Sequence, residues 1–294
     1  MGEGQTVQTL LAEARMQLGH LPSARLDAEL LLGEVLRQSR AGLFCRQDAQ
    51  VAAADEARFR ALVDARSRGA PLAYLRGRQE FWSFELEVTP AVLVPRADTE
   101  ILVETALEHC PATACHVLDL GTGSGAIALA IASERPHASI MAVERSPAAL
   151  AVAVRNRDRL GLQHVECVAG DWHAELPRVR GAIVGEPAGY TLIVANPPYI
   201  APGDPALAAP GVSGEPKDAL VAANEGLADL DAIINKAPAV LAAGGWLILE
   251  HGATQGSAVR ERLRAAGFDA VETRCDLAGL ERVSLGRKGA DVHG

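Results

Sequence analysis

Lysine is almost missing from this chain: Lys217, Lys236 and Lys288 stand beside 25 arginines, and 37 acidic residues leave a net charge of −9. Such an acidic balance excludes the broad electrostatic grip of sequence-independent nucleic-acid binders, so no direct nucleic-acid partner is expected. No apolar run approaches the roughly eighteen residues that a membrane span needs. The amino terminus, MGEGQTVQTL, has neither the basic nor the apolar region of a signal peptide. The cytoplasm is therefore the expected compartment, and no membrane is expected as a partner. Cysteine is sparse: Cys45, Cys110, Cys115, Cys167 and Cys275 are odd in number, scattered and free of C-x-x-C spacing. They read as small hydrophobes, not as a disulfide framework or a zinc site. The eight histidines show no H-E-x-x-H or other ligand spacing, and no metal is expected.

With 294 residues and 49% hydrophobic content, the chain can bury a substantial core in one large domain or two modest ones. Charge divides it. Residues 1–78 hold eleven arginines and nine acids, a net +2, and the remainder carries −11. The amino-terminal part is thus distinct in composition and mildly suited to an acidic partner. In it Leu10, Leu11, Ala14 and Leu18, then Leu26, Leu30, Leu31 and Val35, recur at three- and four-residue steps. This spacing predicts amphipathic helices over 5–19 and 23–39, the second capped by Ser23. A third is expected over 53–67, stopped by Gly69 and Pro71. No catalytic set stands in this helical part, whose role is structural or in recognition. Beyond it Phe81, Phe84, Leu86 and Val88, and then 92–94, are strand-like and separated by Thr89-Pro90, which predicts a hairpin joining two domains. Pro95-Arg96 ends the hairpin, and Asp98 or Thr99 is placed to cap a helix through 109. On that reading Arg96 and Thr99 are only linker and cap.

From 116 onward strands and helices alternate. Short apolar strands are expected at 116–120, 139–143, 164–169, 190–195 and 246–250, with helices near 126–133, 147–160, 227–241 and 254–266 and two strands to finish. That pattern is a doubly wound, largely parallel sheet. The first strand feeds Gly121-Thr122-Gly123-Ser124-Gly125, whose N–H groups, with the dipole of the next helix, can face a polar or charged ligand. With Ala126 the loop also satisfies G-x-G-x-x-G/A, and Glu144 stands where a dinucleotide fold keeps its ribose-binding acid, so a dehydrogenase remains open. Glu144 can equally chelate the two ribose hydroxyls of S-adenosylmethionine, with Asp171 and Trp172 flanking its adenine. The plainer alternatives are a helix N-terminal charge for Glu144 and a core aromatic for Trp172.

The most specific chemistry lies in Asn196-Pro197-Pro198-Tyr199, after the β-branched run YTLIVA. Two prolines cannot continue a central strand, and Pro197 biases Asn196 away from the α region, so Asn196 belongs at the strand's carboxyl end, which faces the ligand crevice of an open sheet. Its carbonyl and a proline carbonyl are two acceptors for a planar group bearing an NH2, and Tyr199 can stack on that group's face. An amide or exocyclic amine held this way has its poorly nucleophilic nitrogen aimed at an electrophile, so positioning does most of the catalysis. A turn between strand and loop is the plainer reading of the same tetrapeptide.

The segments PLAYLRGRQEFWSFELEV, VLVPRADTE, DLGTGSGAIALAIA, SPAAL, LIVANPPYI and GGWLILEHG follow one another in this order. In that combination the chain resembles, over nearly its full length, the HemK/PrmC family of methyltransferases, which modify the glutamine of the Gly-Gly-Gln motif in bacterial peptide chain release factors. The resemblance implies a seven-stranded Rossmann-like, S-adenosylmethionine-dependent domain over 98–294. It is preceded by a helical release-factor recognition domain over 1–72 and a β-hairpin linker over 73–97. It implies that Gly121, Thr122, Gly123, Ser124 and Gly125 approach the methionine part of the cofactor. Glu144 then binds the ribose, Asp171 and Trp172 the adenine, and Arg96 and Thr99 close over the amino-acid end. Asn196 and the Pro197 carbonyl hold the glutamine amide, and Pro198 and Tyr199 shape the slot. A monomer is expected. The family usually has Pro where this chain has Ala97, Asp where it has Glu144, and a more glycine-rich loop at 222–226. The stretch 173–189, with Gly181, Gly185 and Gly189, is longer than usual and reads as a surface excursion. Asn-Pro-Pro-Tyr is shared with enzymes that methylate an exocyclic amino group of a nucleic-acid base, which is the alternative function.

Overall fold

The computed structural model describes residues 4–111, 115–179 and 189–289. The chain forms two compact units, one of the residues up to Arg78 together with Pro205–Glu215, the other of Gln79–Asp204 with the residues from Pro216 on.

The first unit is helical, with α1 (Val7–Gln17), α2 (Ala24–Leu36), α3 (Arg40–Phe44), α4 (Ala53–Ser67) and α5 (Leu72–Arg76). The apolar stripes are its buried faces: Leu10 and Leu18 of the first segment meet Leu31 and Leu32 of α2 and Phe59 of α4 in one core. Thr6 caps α1, its hydroxyl accepting the Thr9 N–H at 3.2 Å. Ser23 does not cap α2 as its position suggested: its backbone, at φ −94° and ψ 8°, is not the extended one of a capping residue, and its hydroxyl donates to Asp27 Oδ2 at 3.0 Å. That carboxylate is 2% exposed and pairs with Arg66 at 2.7 Å.

A two-stranded hairpin follows, β1 (Arg78–Phe81) and β2 (Phe84–Glu87). The sequence reading ran the hairpin over 73–97 with its turn at Thr89-Pro90. The chain instead begins that stretch with α5 and turns at Trp82-Ser83, where Trp82 is left-handed at φ 54°. The Trp82 amide donates to Glu100 Oε1 at 2.8 Å and its indole to Glu134 Oε1 at 3.0 Å, contacts that hold a conformation aromatic residues rarely adopt. Residues 92–94 form no strand, although Val92 and Val94 are buried.

The second unit then alternates α6 (Glu100–His109), β3 (His116–Leu120), α7 (Ala126–Glu134), β4 (Ser139–Glu144), α8 (Pro147–Leu160), β5 (Val165–Ala169) and β6 (Tyr190–Ala195). After these come α9 (Ala223–Gly226), α10 (Ala228–Lys236), β7 (Leu241–Glu250), α11 (Gly256–Ala265), β8 (Phe268–Cys275) and β9 (Glu281–Lys288). The strands form the expected seven-stranded, mostly parallel sheet in the order β5-β4-β3-β6-β7-β9-β8, with β9 antiparallel to both of its neighbours. Every residue of β3 is buried, as a strand covered on both faces requires.

Strand order reverses between β3 and β6, which is where an open sheet leaves a crevice at its carboxyl ends. Register brings those ends to one level: Leu120 pairs with Val143 and with Ala195, and Glu144 with Ala169. The loops that follow these residues are therefore the ones that meet.

Cys110 and Cys115, read from the sequence as separate small hydrophobes, are joined by a disulfide, with their Cα atoms 6.1 Å apart. Their five-residue separation carried no recognisable spacing, and the pairing depends on where α6 ends and β3 begins. The excursion expected over 173–189 falls largely at 180–188, with Gly181 and Gly185, outside the described residues. Among the described residues no helix is long and apolar enough to cross a membrane. Nor, among them, is any group of three His, Cys, Asp or Glu side chains placed to hold a metal ion.

Candidate active site

A cavity of about 590 Å³ opens at the carboxyl ends of the parallel strands, a size typical of small-molecule sites. Gly121, Thr122, Gly123 and Ser124 line it after β3, Glu144 at the end of β4, and Asp171 and Trp172 after β5. Asn196 and Pro198 line it after β6, and Thr99 enters from the turn before α6. Gly125, Arg96, Pro197 and Tyr199 stand outside this lining.

The glycine loop curls because three of its residues take positive φ, 76° at Gly121, 57° at Gly123 and 88° at Gly125. At Gly121 space decides as well, since a Cβ would stand 2.8 Å from Cζ3 of Trp172. Four of its N–H groups, however, bond within the protein and not toward a ligand as the motif suggested. Gly121 and Thr122 both donate to the Val143 carbonyl, at 2.9 and 3.0 Å, which prolongs the pairing of β3 with β4. Gly123 donates to Glu144 Oε2 at 2.9 Å, and Gly125 to the Thr122 carbonyl at 2.8 Å. A pyrophosphate would find these four amides occupied, which counts against the dehydrogenase reading.

Glu144 is 8% exposed and fixed at both oxygens: Oε2 accepts from Gly123 and Oε1 accepts the Ser146 N–H at 2.9 Å. Each carboxylate oxygen has a second acceptor site, so the pair can still receive two vicinal hydroxyls at the cavity wall. Trp172 is a core aromatic that also forms wall: it is 4% exposed and donates its indole N–H to Asp229. The Arg145 guanidinium stands 5.6 Å from its ring centre. Asp171 accepts the His173 N–H at 2.8 Å, which folds the loop after β5 back on itself.

The Asn-Pro-Pro-Tyr segment is held by its backbone. Ile200 donates to the Leu220 carbonyl at 2.9 Å, and Gln255 Nε2 donates to the Tyr199 carbonyl at 3.0 Å. Gly226 lets the next turn close in, because a Cβ there would stand 2.1 Å from that same carbonyl oxygen. Asn196 Nδ2 donates to Thr99 Oγ1 at 3.2 Å, whereas Asn196 Oδ1 is buried with no hydrogen-bond partner. An orphaned buried acceptor carries a free-energy cost, and the residue that bears it lines the cavity. Thr99, expected to cap α6, makes no capping bond and serves as this acceptor instead.

Several groups at the site carried no signal in the sequence. Asp119 lies under the glycine loop, fully buried, with the Thr122 hydroxyl donating to Oδ2 at 2.6 Å. Burial, reinforced by the charge of Glu144, pushes its carboxyl up to about 7 against the opposing pull of that hydrogen bond. Glu250 at the end of β7 is pushed up to about 7 by burial too, with the Thr99 and Tyr199 side chains pulling the other way. Tyr199 donates its hydroxyl to Glu250 Oε1 at 3.3 Å, and burial beside that carboxyl keeps the phenol protonated. Pro216, Asp218 and Ala219 form a further wall, fastened by Arg145 Nη2 donating to the Asp218 carbonyl at 3.0 Å. The sequence offered only a Pro/Gly-rich loop there.

Comparison with known proteins adds an independent line. Residues 9–77 match the model of the PrmC N-terminal domain, and residues 112–276 match that of a methyltransferase domain. The chain is 48% identical over 264 residues to a release factor glutamine methyltransferase of Xylella fastidiosa strain 9a5c, covering 90% of this chain and 93% of that one. It is 44% identical over 280 residues to the release factor glutamine methyltransferase of Escherichia coli K12, covering 95% and 98%. Among solved structures, a methyltransferase from Pyrococcus furiosus shares the fold with a TM-score of 0.50 at 20% identity, over 69% of this chain and 88% of that one.

Proposed function

The chain belongs to the family of release factor glutamine methyltransferases, and from the geometry of its slot we propose a specific reaction. It transfers one methyl group from S-adenosylmethionine to the side-chain amide nitrogen, N5, of the glutamine in the Gly-Gly-Gln motif of bacterial release factors. The observation that carries this reading is the buried, unpartnered Oδ1 of Asn196 at the cavity wall, an acceptor that waits for an N–H donor.

The residues present fit the cofactor. Glu144 offers two oxygens with acceptor sites left for the ribose hydroxyls, Asp171 and Trp172 flank the adenine, and the curled loop from Gly121 to Gly125 leaves room for the methionine part. When bound, S-adenosylmethionine supplies an electrophilic methyl carbon on a positive sulfur. Thr99, which lines the cavity, and Arg96, which stands outside that lining, are assigned to the amino-acid end of the cofactor.

Asn196 Oδ1 and the Pro197 carbonyl accept the two amide protons of the glutamine, which draws charge onto nitrogen and aims it in line at the methyl carbon. Pro198 and Tyr199 flatten the slot around the planar amide, with Tyr199 anchored through Glu250. With S-adenosylmethionine held by these residues, the methyl group would pass to that nitrogen, its bond to sulfur breaking as the bond to nitrogen forms, and the displaced amide proton would go to solvent. Each hydrogen bond contributes about 1 kcal/mol net. Alignment of the reacting atoms supplies several more. We assign the contact with the release factor to the helical unit, which carries the PrmC N-terminal match and the net positive charge.

The test is mass spectrometry of unmodified bacterial release factor after incubation with this protein and S-adenosylmethionine. A gain of one methyl on the Gly-Gly-Gln glutamine, lost with Asn196→Ala while cofactor affinity is kept, is the expected result. An unmodified glutamine alongside intact cofactor binding would overturn the reading and direct the search to the amino groups of nucleic-acid bases.

A further inference from the structure

The end of β7 and the turn behind it hold Tyr199 at two points. Glu250 Oε1 accepts the Tyr199 hydroxyl at 3.3 Å, and Gln255 Nε2 donates to the Tyr199 carbonyl at 3.0 Å. The same nitrogen donates to the Glu225 carbonyl at 3.1 Å, while Gln255 Oε1 accepts the Gly252 N–H at 2.8 Å. Its neighbours settle how this carboxamide is turned. Both carbonyls can only accept and the Gly252 amide can only donate, so a reversed side chain would lose all three bonds and set oxygen against oxygen. One half-buried side chain thus ties the turn after β7, the segment after β6 and the stretch before α10.

These pieces are closely fitted. Ile200 donates to the Leu220 carbonyl at 2.9 Å and accepts the Ala222 N–H at 3.0 Å, which lays the segment after β6 alongside 220–222 as a short parallel bridge. Asn224, Glu225 and Gly226 then take left-handed φ in succession, a costly conformation that persists where its surroundings over-determine it. A Cβ at Gly226 would stand 2.1 Å from the Tyr199 carbonyl oxygen and 2.8 Å from Gln255 Nε2. Pro197 and Pro198 bring no N–H to this anchorage, and their rings fix φ. A shift of Tyr199 is therefore carried back to the Pro197 carbonyl and to Asn196 with little between them to absorb it.

Resting on the methyl-transfer reading above, we propose that Gln255 is a positioning residue: by donating to the Tyr199 and Glu225 carbonyls together, it fixes the place from which Asn196 and the Pro197 carbonyl meet the substrate amide. Gln255 stands outside the lining of the cavity and acts only through the segment it holds. Its two donated bonds carry this role, and its bond from Gly252 serves to aim them.

The experiment compares two variants of the full chain with the wild type. Gln255→Glu keeps the size of the side chain and an acceptor for Gly252 but loses the donor. Gln255→Met keeps the length and loses both. Turnover of unmodified release factor is measured at saturating S-adenosylmethionine and divided by the number of cofactor-binding sites found by calorimetry, so that unfolded chains do not enter. In both variants kcat falls about a hundredfold, the effect of displacing reacting groups by about 1 Å, while the KM for release factor and the cofactor affinity hold. Hydrogen exchange at the Ile200 amide, which needs no turnover, speeds up in both. A Gln255→Glu variant with wild-type kcat and exchange would overturn the proposal, because the side chain would then serve only the turn after β7. A loss confined to the number of binding sites would overturn it as well, as a defect of folding. Faster exchange at Ile200 in variants of a protein that leaves every release factor unmethylated would uphold the clamp and overturn the reaction assigned to the slot.

Discussion

The indole N–H of Trp172 donates to Asp229 Oδ1 at 2.8 Å, tying a wall of the cavity to helix α10. The same oxygen lies 2.7 Å from His173 Nε2. Seven residues further along the chain, Lys236 donates to the carbonyls of Trp172 and Ala174 at 2.9 and 2.7 Å, and to that of His173. One face of α10 thus grips the loop after β5. Removing the carboxylate by Asp229→Ala should raise the dissociation constant for S-adenosylmethionine about tenfold, the value of a hydrogen bond to a charged group. Calorimetric titration gives that constant directly. The rate at saturating cofactor should hold, because Asp229 does not touch the slot for the amide. An unchanged dissociation constant would mean that Lys236 suffices to hold the loop.

Stability should respond to pH through Asp119. Its carboxyl is pushed up to about 7 in the folded chain, against about 4 for an unperturbed aspartate. Between those values the folded chain keeps a proton that the unfolded chain has released. The stabilisation from this group is therefore complete below the lower value, shrinks through the interval and is gone above the upper one. Asp119→Asn has no such proton to lose and keeps an acceptor for the Thr122 hydroxyl. Relative to this variant, the wild-type chain should lose stability as pH rises from about 5 to 8, measured by urea unfolding at several pH values. A difference between the two that stays constant across that range would rule out the raised carboxyl.

Asn224 and Glu225 take left-handed φ of 54° and 57° immediately before Gly226 at 83°. Asn224 finds compensation in a bond from Nδ2 to Asp231 Oδ2 at 3.0 Å, and asparagine tolerates this region. For Glu225, which uses its carbonyl to accept from Gln255 Nε2 at 3.1 Å, the conformation costs about 1 kcal/mol. Glu225→Gly should relieve that cost and raise the melting temperature by about 2 °C, readable by scanning calorimetry. An unchanged or lowered melting temperature would indicate that the added freedom of the unfolded glycine outweighs the strain.

Much of the second unit was legible because its information is local. A buried strand, a glycine turn and an acid at the next strand's end each announce themselves within a few residues, and parallel register brings their ends together. What escaped notice depended on distance in sequence. Asp229 meets Trp172 from 57 residues away, and Tyr199 meets Glu250 across 51. Such polar residues look like ordinary helix or strand ends until the fold brings them together. Other misreadings came from tertiary contacts overriding local preference. Glu100 and Glu134 hold Trp82 in a turn that its side chain disfavours, and Val143 takes two amides that a ligand was to receive. The disulfide of Cys110 and Cys115 belongs with these, since nothing in a five-residue spacing announces it.

The orphaned oxygen of Asn196 also sets a limit on how far the proposed reaction can proceed. A slot that seats an amide by asking one nitrogen for two hydrogens finds only one left after the first turnover. The product answers half of what the substrate answered, and its new methyl group lies where an acceptor expects a proton. On the proposed reading, release would thereby be favoured over a second round, and the count of methyl groups would stop at one.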